Sequence, residues 1–225
     1  MKLLAARLVL MLTAFLAVAT PARAQVTPDV SFAGKPIQVG STGSGGDPYI
    51  FATAVNAVLK SNMKVIAGYP GMNEIVLAIN RGELDGVLGY SWGVARLGIR
   101  DELKDGKVKI LMQLALKKHA ELKDVPLVTE LVPEGEGKKV LELIFARQSM
   151  GRPIVAPPGL DPRMVAAWRK AFDDTMHDPE FRAEAEKIGL EINFVSGDDV
   201  QSLVKSLYEL PESVVKQAQR IIAGK

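Results

Sequence analysis

Cysteine is absent from the 225 residues, and histidine occurs twice. The first absence excludes disulfides, thiolate metal sites and a cysteine nucleophile, so stability has to come from side-chain packing. The second leaves little for hydrolytic chemistry. His119 lies in a charged stretch and His177 at the end of a helical pattern; neither is near a serine in a nucleophile-elbow context, and both read as surface residues. No H-x-x-x-H, D-x-D-x-D-G or cysteine cluster points to a metal. Internal repeats and low-complexity tracts are also missing. Beyond the first two dozen residues no uncharged run approaches the roughly 20 residues a bilayer span needs. Asp85 and Glu74 have routine strand-edge and helix-start readings and are not proposed as an acid/base pair. The chain therefore reads as non-enzymatic, with no cofactor and no metal.

What is present begins with an address. Lys2 and Arg7 form a basic start, Leu8 to Ala19 is apolar, and Ala22-Arg23-Ala24 supplies small residues at −3 and −1 of a cleavage site before Gln25. Residues 1–24 are read as a cleavable signal peptide that places the chain in the periplasm, the alternative being an uncleaved anchor. Removing them leaves 25 of the 28 basic residues against all 26 acidic ones, a net charge of −1. The sequence pI of about 8.7 comes largely from the leader. No basic patch of the kind nucleic-acid binding requires survives, so nucleic acid is not a partner.

Residues 25–35 read as a short lead. Pro36 to Gly40 is an expected strand running into Ser41-Thr42-Gly43-Ser44-Gly45-Gly46. Asp47 as N-cap and Pro48 at the first helical position open a helix to about Lys60. Met63 to Ala67 is a strand, Gly68-Tyr69-Pro70-Gly71 a turn, and Asn73 to Arg81 a helix stopped by Gly82. Leu84 to Leu88 is a third strand, Ser91 to Ile99 a helix, Val108 to Leu114 a strand, and Leu122 to Leu131 loop with a short helical piece. A helix over Lys138 to Gln148 is followed by a strand over Arg152 to Ala156 and a break at Pro157-Pro158-Gly159. Asp161-Pro162 repeats the cap device and starts a helix to about Met176. Helix Pro179 to Ile188 stops at Gly189, Ile192 to Val195 is a strand, Asp198 or Asp199 caps a helix to about Leu210, and Glu212 to Ile222 is the last helix. Alternating strands and helices predict an α/β fold with a mostly parallel sheet.

Two turns are candidates for binding. Gly40 to Asp47 has the glycine spacing of a phosphate loop, but Gly46 and Asp47 stand where the lysine and hydroxyl belong. Pro48 likewise occupies the last glycine position of the dinucleotide fingerprint. What remains is a strand-to-helix turn with small residues, hydroxyls and backbone amides at the positive end of a helix, suited to a carboxylate or other small anion. Tyr69-Pro70-Gly71-Met72-Asn73 has the same design after the next strand, and open α/β sheets place ligands at the carboxyl ends of their strands. The candidate ligand-binding residues are Ser41, Thr42, Gly43, Ser44, Gly45, Gly46, Asp47, Tyr69, Pro70, Gly71, Met72 and Asn73. The same composition also describes connectors that bind nothing. Tyr90 and Trp92, after the third strand, are either an apolar wall or core.

Gly68-Tyr69-Pro70-Gly71 with Asn73-Glu74-Ile75, then Ala78-Ile79 and Arg81-Gly82-Glu83 with Asp85-Gly86, resembles the extracytoplasmic receptors of tripartite tricarboxylate transporters, the Bug-type solute-binding proteins. Gly40-Ser41-Thr42-Gly43 with Gly45 and Tyr49-Ile50-Phe51 is similar to the same family, as are Arg152-Pro153, Ala156-Pro157-Pro158-Gly159 and Pro162. The resemblance runs from about residue 36 to the C-terminus. It implies a periplasmic-binding-protein-like (type II) clamshell that binds a small carboxylate or other small polar solute and delivers it to membrane permease subunits. Ser41 to Asp47 and Tyr69 to Asn73 would then be the ligand-facing turns of the second lobe, and Arg152 to Gly159 the crossover.

The chain departs from this pattern at its start. Ser31-Phe32-Ala33-Gly34-Lys35 resembles the beginning of the first lobe but runs almost directly into the second-lobe turn, so on the order of 100 residues are missing, about one small domain. The expected organisation is a complete α/β ligand-binding lobe over 36–150 and a crossover with the C-terminal remnant of the other lobe over 151–225. That remnant is expected to expose apolar helix faces and to favour homo-oligomers. A second reading is a shortened periplasmic interaction or sensory protein that binds no solute.

Overall fold

The structure, a computed structural model, describes residues 36–224. The expected signal peptide (1–24) and lead (25–35) lie outside the described residues. Three parallel strands form the sheet: β1 (Ile37–Ser41) in the centre, β2 (Met63–Ala67) on one side and β3 (Gly86–Val87) on the other. β1 and β2 are in register from Ile37 opposite Met63 to Ser41 opposite Ala67. The mixed α/β class with a parallel sheet is thus observed.

α1 (Asp47–Leu59) and α2 (Met72–Asn80) are the crossovers that make the strands parallel. They feed two apolar clusters. The larger takes Ile50, Phe51, Ala54 and Val55 from α1, Val140, Leu141, Ile144 and Phe145 from α5 (Glu136–Ala146), Val214, Ala218 and Ile221 from α9 (Glu212–Ile222), and Val128 from a short 3-10 turn (Val128–Glu130). Phe51 and Phe145 meet edge to face at 5.0 Å. Fully burying such a side chain contributes about 1.5–3 kcal/mol, and the aromatic contact adds about 0.5–1.5 kcal/mol. The smaller cluster packs Ile75 and Ala78 of α2 with Leu84. A Cβ on Gly40 would lie 2.6 Å from Leu84 Cδ1 and 2.7 Å from Ile75 Cγ2, so this cluster closes on a strand that can carry only glycine there.

Helix α2 ends as its glycine dictates. Gly82 takes φ of 74°, its N–H donates to Ile79 O and the Glu83 N–H to Ala78 O, the paired bonds of a Schellman stop. Gly189 closes α7 (Pro179–Lys187) in the same way, with φ of 69° and the Leu190 N–H donating to Ala185 O. Asp161 caps α6 (Pro162–His177) as expected, accepting from the Arg163 N–H at 2.8 Å. Two other expected caps are corrected. Gly46, not Asp47, is the N-cap of α1, because Asp47 is turned to Arg147. Ser196, not Asp198 or Asp199, caps α8 (Gly197–Tyr208) by accepting from the Asp199 N–H.

Three expected strands are absent, each for want of a partner. Val108 to Leu114 makes one bridge, Gln113 with Leu127, and is held by the Gln113 side chain, whose amide donates to Leu122 O and Val125 O. Residues 152–156 are exposed and unpaired, with Arg152 at φ of 63°. Residues 192–195 are loop. The third strand is shortened to Gly86–Val87 because Asp85 bonds β1 through both its backbone, N–H to Gln38 O at 2.8 Å, and its side chain, which accepts from the Gln38 N–H at 2.7 Å.

The C-terminal part divides in two. α9 belongs physically with α1 and α5, where it buries Val214, Ala218 and Ile221. Residues 151–210, carrying α6, α7 and α8, form an arm in which Ala185 alone is buried. Met164, Trp168 and Phe172 recur every fourth residue along α6 and stay 36–48% exposed, as the expected open helix faces require.

Candidate functional site

The two glycine-rich turns lie side by side. Ser41 ends β1, and its carbonyl accepts from both Gly68 N–H (3.1 Å) and Tyr69 N–H (3.2 Å), which tie the second turn to the first. Ser41 is buried, and its hydroxyl donates to Gly43 O at 3.3 Å. The first turn closes on a Gly46 N–H bond to Gly43 O at 3.1 Å, leaving Ser44 and Gly45 exposed at its tip. In the second, Gly68 takes φ of 111°, a backbone state only glycine adopts without strain.

Each turn leads into a helix whose N-cap is glycine and whose first turn receives no side-chain cap: Gly46 before α1 and Gly71 before α2. Two positive helix ends therefore stand at the carboxyl ends of adjacent parallel strands. Their donors differ. Pro48 removes one N–H from the first turn of α1, and the Tyr49 and Ile50 amides fold back onto Gly46 O, so the Asp47 amide and the loop tip carry that end. The first turn of α2 has no proline and offers Met72 and Asn73.

Charge is arranged around these amides. Asp47 sits in the first turn of α1, and its carboxylate pairs with Arg147, which follows α5 in a short 3-10 turn. The Arg147 guanidinium also lies over the Phe51 ring at 5.5 Å from its centroid. On α2, Glu74 reaches back over its N-cap: a Cβ on Gly71 would stand 2.9 Å from Glu74 Oε2. The acid beside the first turn is matched by a cation, while the acid beside the second is exposed. Arg147 has no sequence signal, because a hundred residues separate it from Asp47.

The side chains divide. Thr42 Oγ1 would stand 2.8 Å from a Cβ on Gly46, so its hydroxyl lies over the start of α1. Tyr69 and Met72 turn their side chains onto the Ile75, Ala78 and Leu84 cluster, leaving their backbone for the turn. Pro70 and Asn73 are exposed.

A third loop joins them. Gly89, at φ of 76°, packs against the start of α1, where a Cβ would be 3.0 Å from Phe51 Cδ2 and 3.4 Å from the Asp47 carbonyl carbon. Its continuation, Tyr90 and Ser91, enters α3 (Trp92–Gly98), which the short α4 (Arg100–Lys104) follows. Trp92 is partly buried, its Nε1–H donating to Glu121 at 2.7 Å and its ring meeting that of His119 edge to face. His119, expected at the surface, is corrected: its side chain is 25% exposed and its Nε2 lies 2.6 Å from Glu191 Oε1. His177 is exposed on α6. Among the described residues no group of His, Asp and Glu is placed to hold a metal ion, and no helix is long and apolar enough to cross a membrane. Comparison of the chain with protein-family models, curated proteins and solved structures finds no match.

Proposed function

We propose that the chain is an exported solute-binding receptor that takes a small carboxylate at the paired turns and passes it to a tripartite tricarboxylate-type permease in the periplasm. The observation that carries this reading is the pair of uncapped helix N-termini side by side on β1 and β2, with Arg147 beside the first. In the finer reading, residues 36–150 with α9 are one lobe of a type II clamshell, and the arm is what remains of the other. The resemblance at Tyr69 to Asp85 and at Arg152 to Gly159 supports that assignment.

The energetics fit a weak receptor. A helix terminus contributes about 0.3–1 kcal/mol to an exposed anion and up to about 2 kcal/mol when the site is partly buried. Each hydrogen bond to a charged ligand adds roughly 1.5–3 kcal/mol. Micromolar binding corresponds to about 8 kcal/mol, so two or three amides reach it only if water is excluded from the second side. Calorimetry of the mature chain against mono-, di- and tricarboxylates tests the reading. Heat that saturates with at least one of them is expected, and silence with all of them contradicts it.

The exposed arm favours a second reading, an interaction or sensory protein that contacts a membrane subunit without solute. Ligand-independent co-purification of a permease or sensor subunit, together with silent calorimetry, is its signature.

A further inference from the structure

The arm has little of its own to hold it in place. Arg163, Arg169, Lys170, His177 and Lys187 pair with Asp161, Asp198, Asp174, Asp173 and Glu184, all within the arm. Beside α8 the contact with the body is incomplete: Leu203 and Leu207 face Leu116, Thr129 and Glu142 across a cavity of about 380 Å³. Against this background the bond between His119 and Glu191 stands out, because it joins the body to the segment that follows α7.

That bond is built from both sides. On the body, the His119 N–H donates to Gln113 Oε1 at 2.8 Å, and the ring Nδ1 accepts from the Glu121 N–H at 3.2 Å. With Nδ1 occupied as an acceptor, Nε2 carries the hydrogen and points it at Glu191. On the arm, Glu191 Oε1 also accepts from Asn193 Nδ2 at 2.9 Å. Its other oxygen lies over α3, where a Cβ on Gly93 would be only 2.7 Å away, so glycine at 93 is what lets the carboxylate in. The remaining charged groups facing the pair are Arg96 of α3, 3.8 Å from Glu121, and Glu121 itself, which Trp92 holds. Both partners are about three-quarters buried.

The landing point of the arm is the loop-and-helix segment that leaves the third strand. Gly93 follows Trp92 directly, and the same loop begins at Gly89 against the start of α1, beside Asp47. We propose that the His119–Glu191 pair is a latch that holds the C-terminal arm down on the third loop, so that its release swings α6 to α8 away and opens that side of the site. The consequence for the site rests on the receptor reading; the latch itself does not.

The absence of cysteine gives a direct test. Single cysteines at Val94 on α3 and Glu180 on α7, both exposed, take spin labels in the mature chain, and their distance distribution is read without ligand. One narrow distribution is expected for the parent chain. Glu191→Ala and His119→Ala should each add a longer, broader population, raising the released fraction roughly tenfold or more, the scale of a hydrogen bond to a charged group. The double variant should add nothing beyond either single one. Distributions that match the parent in both variants overturn the latch. Loss of the helical circular dichroism signal overturns it as well, because neither residue belongs to the buried clusters. Since no carboxylate is present, a negative result here leaves the calorimetry of the turns to decide the receptor reading separately.

Discussion

Gly40 and Gly89 carry no functional group, yet they decide where the candidate site can exist. Gly40 lets Ile75 and Leu84 close against β1, and Gly89 lets the third loop reach the start of α1 with positive φ. Valine at 40 would force both neighbours to move, and overpacking of this kind costs about 1–3 kcal/mol. Gly40→Val is expected to lower the unfolding free energy measured in urea by that amount, moving the midpoint down, and to leave the larger cluster folded; an unchanged midpoint would mean the small cluster bears no strain. Glu191 adds a pH-dependent contribution. Burial pushes its carboxyl up, but the hydrogen bonds from His119 and Asn193 and the nearby charge of Arg96 outweigh it, so the folded group titrates below its ordinary 4.5. The unfolded chain then binds the proton more tightly, so the contribution is complete above the ordinary value and disappears as pH falls through the lower folded one. The melting temperature of the parent chain should exceed that of Glu191→Gln at about pH 7 and converge with it below about pH 4. A gap that persists in acid would assign the difference to side-chain packing instead.

Among elements, those with an internal cause were readable from sequence. α6 and α7 each start with a capping aspartate and a proline, α7 stops at Gly189, α9 has apolar residues at helical spacing after Pro211, and all three form within a residue or two of the expected bounds. Strands depend on a neighbour that no local pattern reveals. Residues 152–156 have the apolar content of a strand, yet Ile154 and Val155 stay 73% and 81% exposed for lack of one. Of the site, both glycine turns were legible because a strand, a glycine run and a helix start follow each other in the chain. Arg147 and the His119–Glu191 pair were not, since each joins positions far apart in sequence and neither partner has an unusual neighbourhood. α9 is the clearest long-range case: its apolar face is readable, but only the structure shows it against α1 and α5. Phe145, at the centre of that contact, is fully buried against Phe51. Phe145→Ala should destabilise by about 3–5 kcal/mol in urea unfolding, with α1, α5 and α9 losing helix signal together. A loss below about 1 kcal/mol would show that the three helices do not share one core.

At the scale of the molecule, a body with two buried clusters carries an arm with almost none. Every residue from 151 to 159 is exposed, and none is in a helix or strand. Local opening is easiest where few apolar contacts and no ladder bonds resist it. Limited proteolysis of the native chain is therefore expected to cut first in this segment, with the fragment bearing α9 remaining bound to the body through Val214, Ala218 and Ile221. First cuts inside α1 or α5 would contradict this division.

The central claim is that backbone amides at two neighbouring helix starts grip a carboxylate. Amide NMR of the chain titrated with succinate or citrate addresses it residue by residue. The account predicts saturable shifts of the Gly43, Ser44, Gly45, Asp47, Met72 and Asn73 amides with one common dissociation constant. Shifts that are absent there, or that appear only at scattered lysines and grow linearly with concentration, would contradict it.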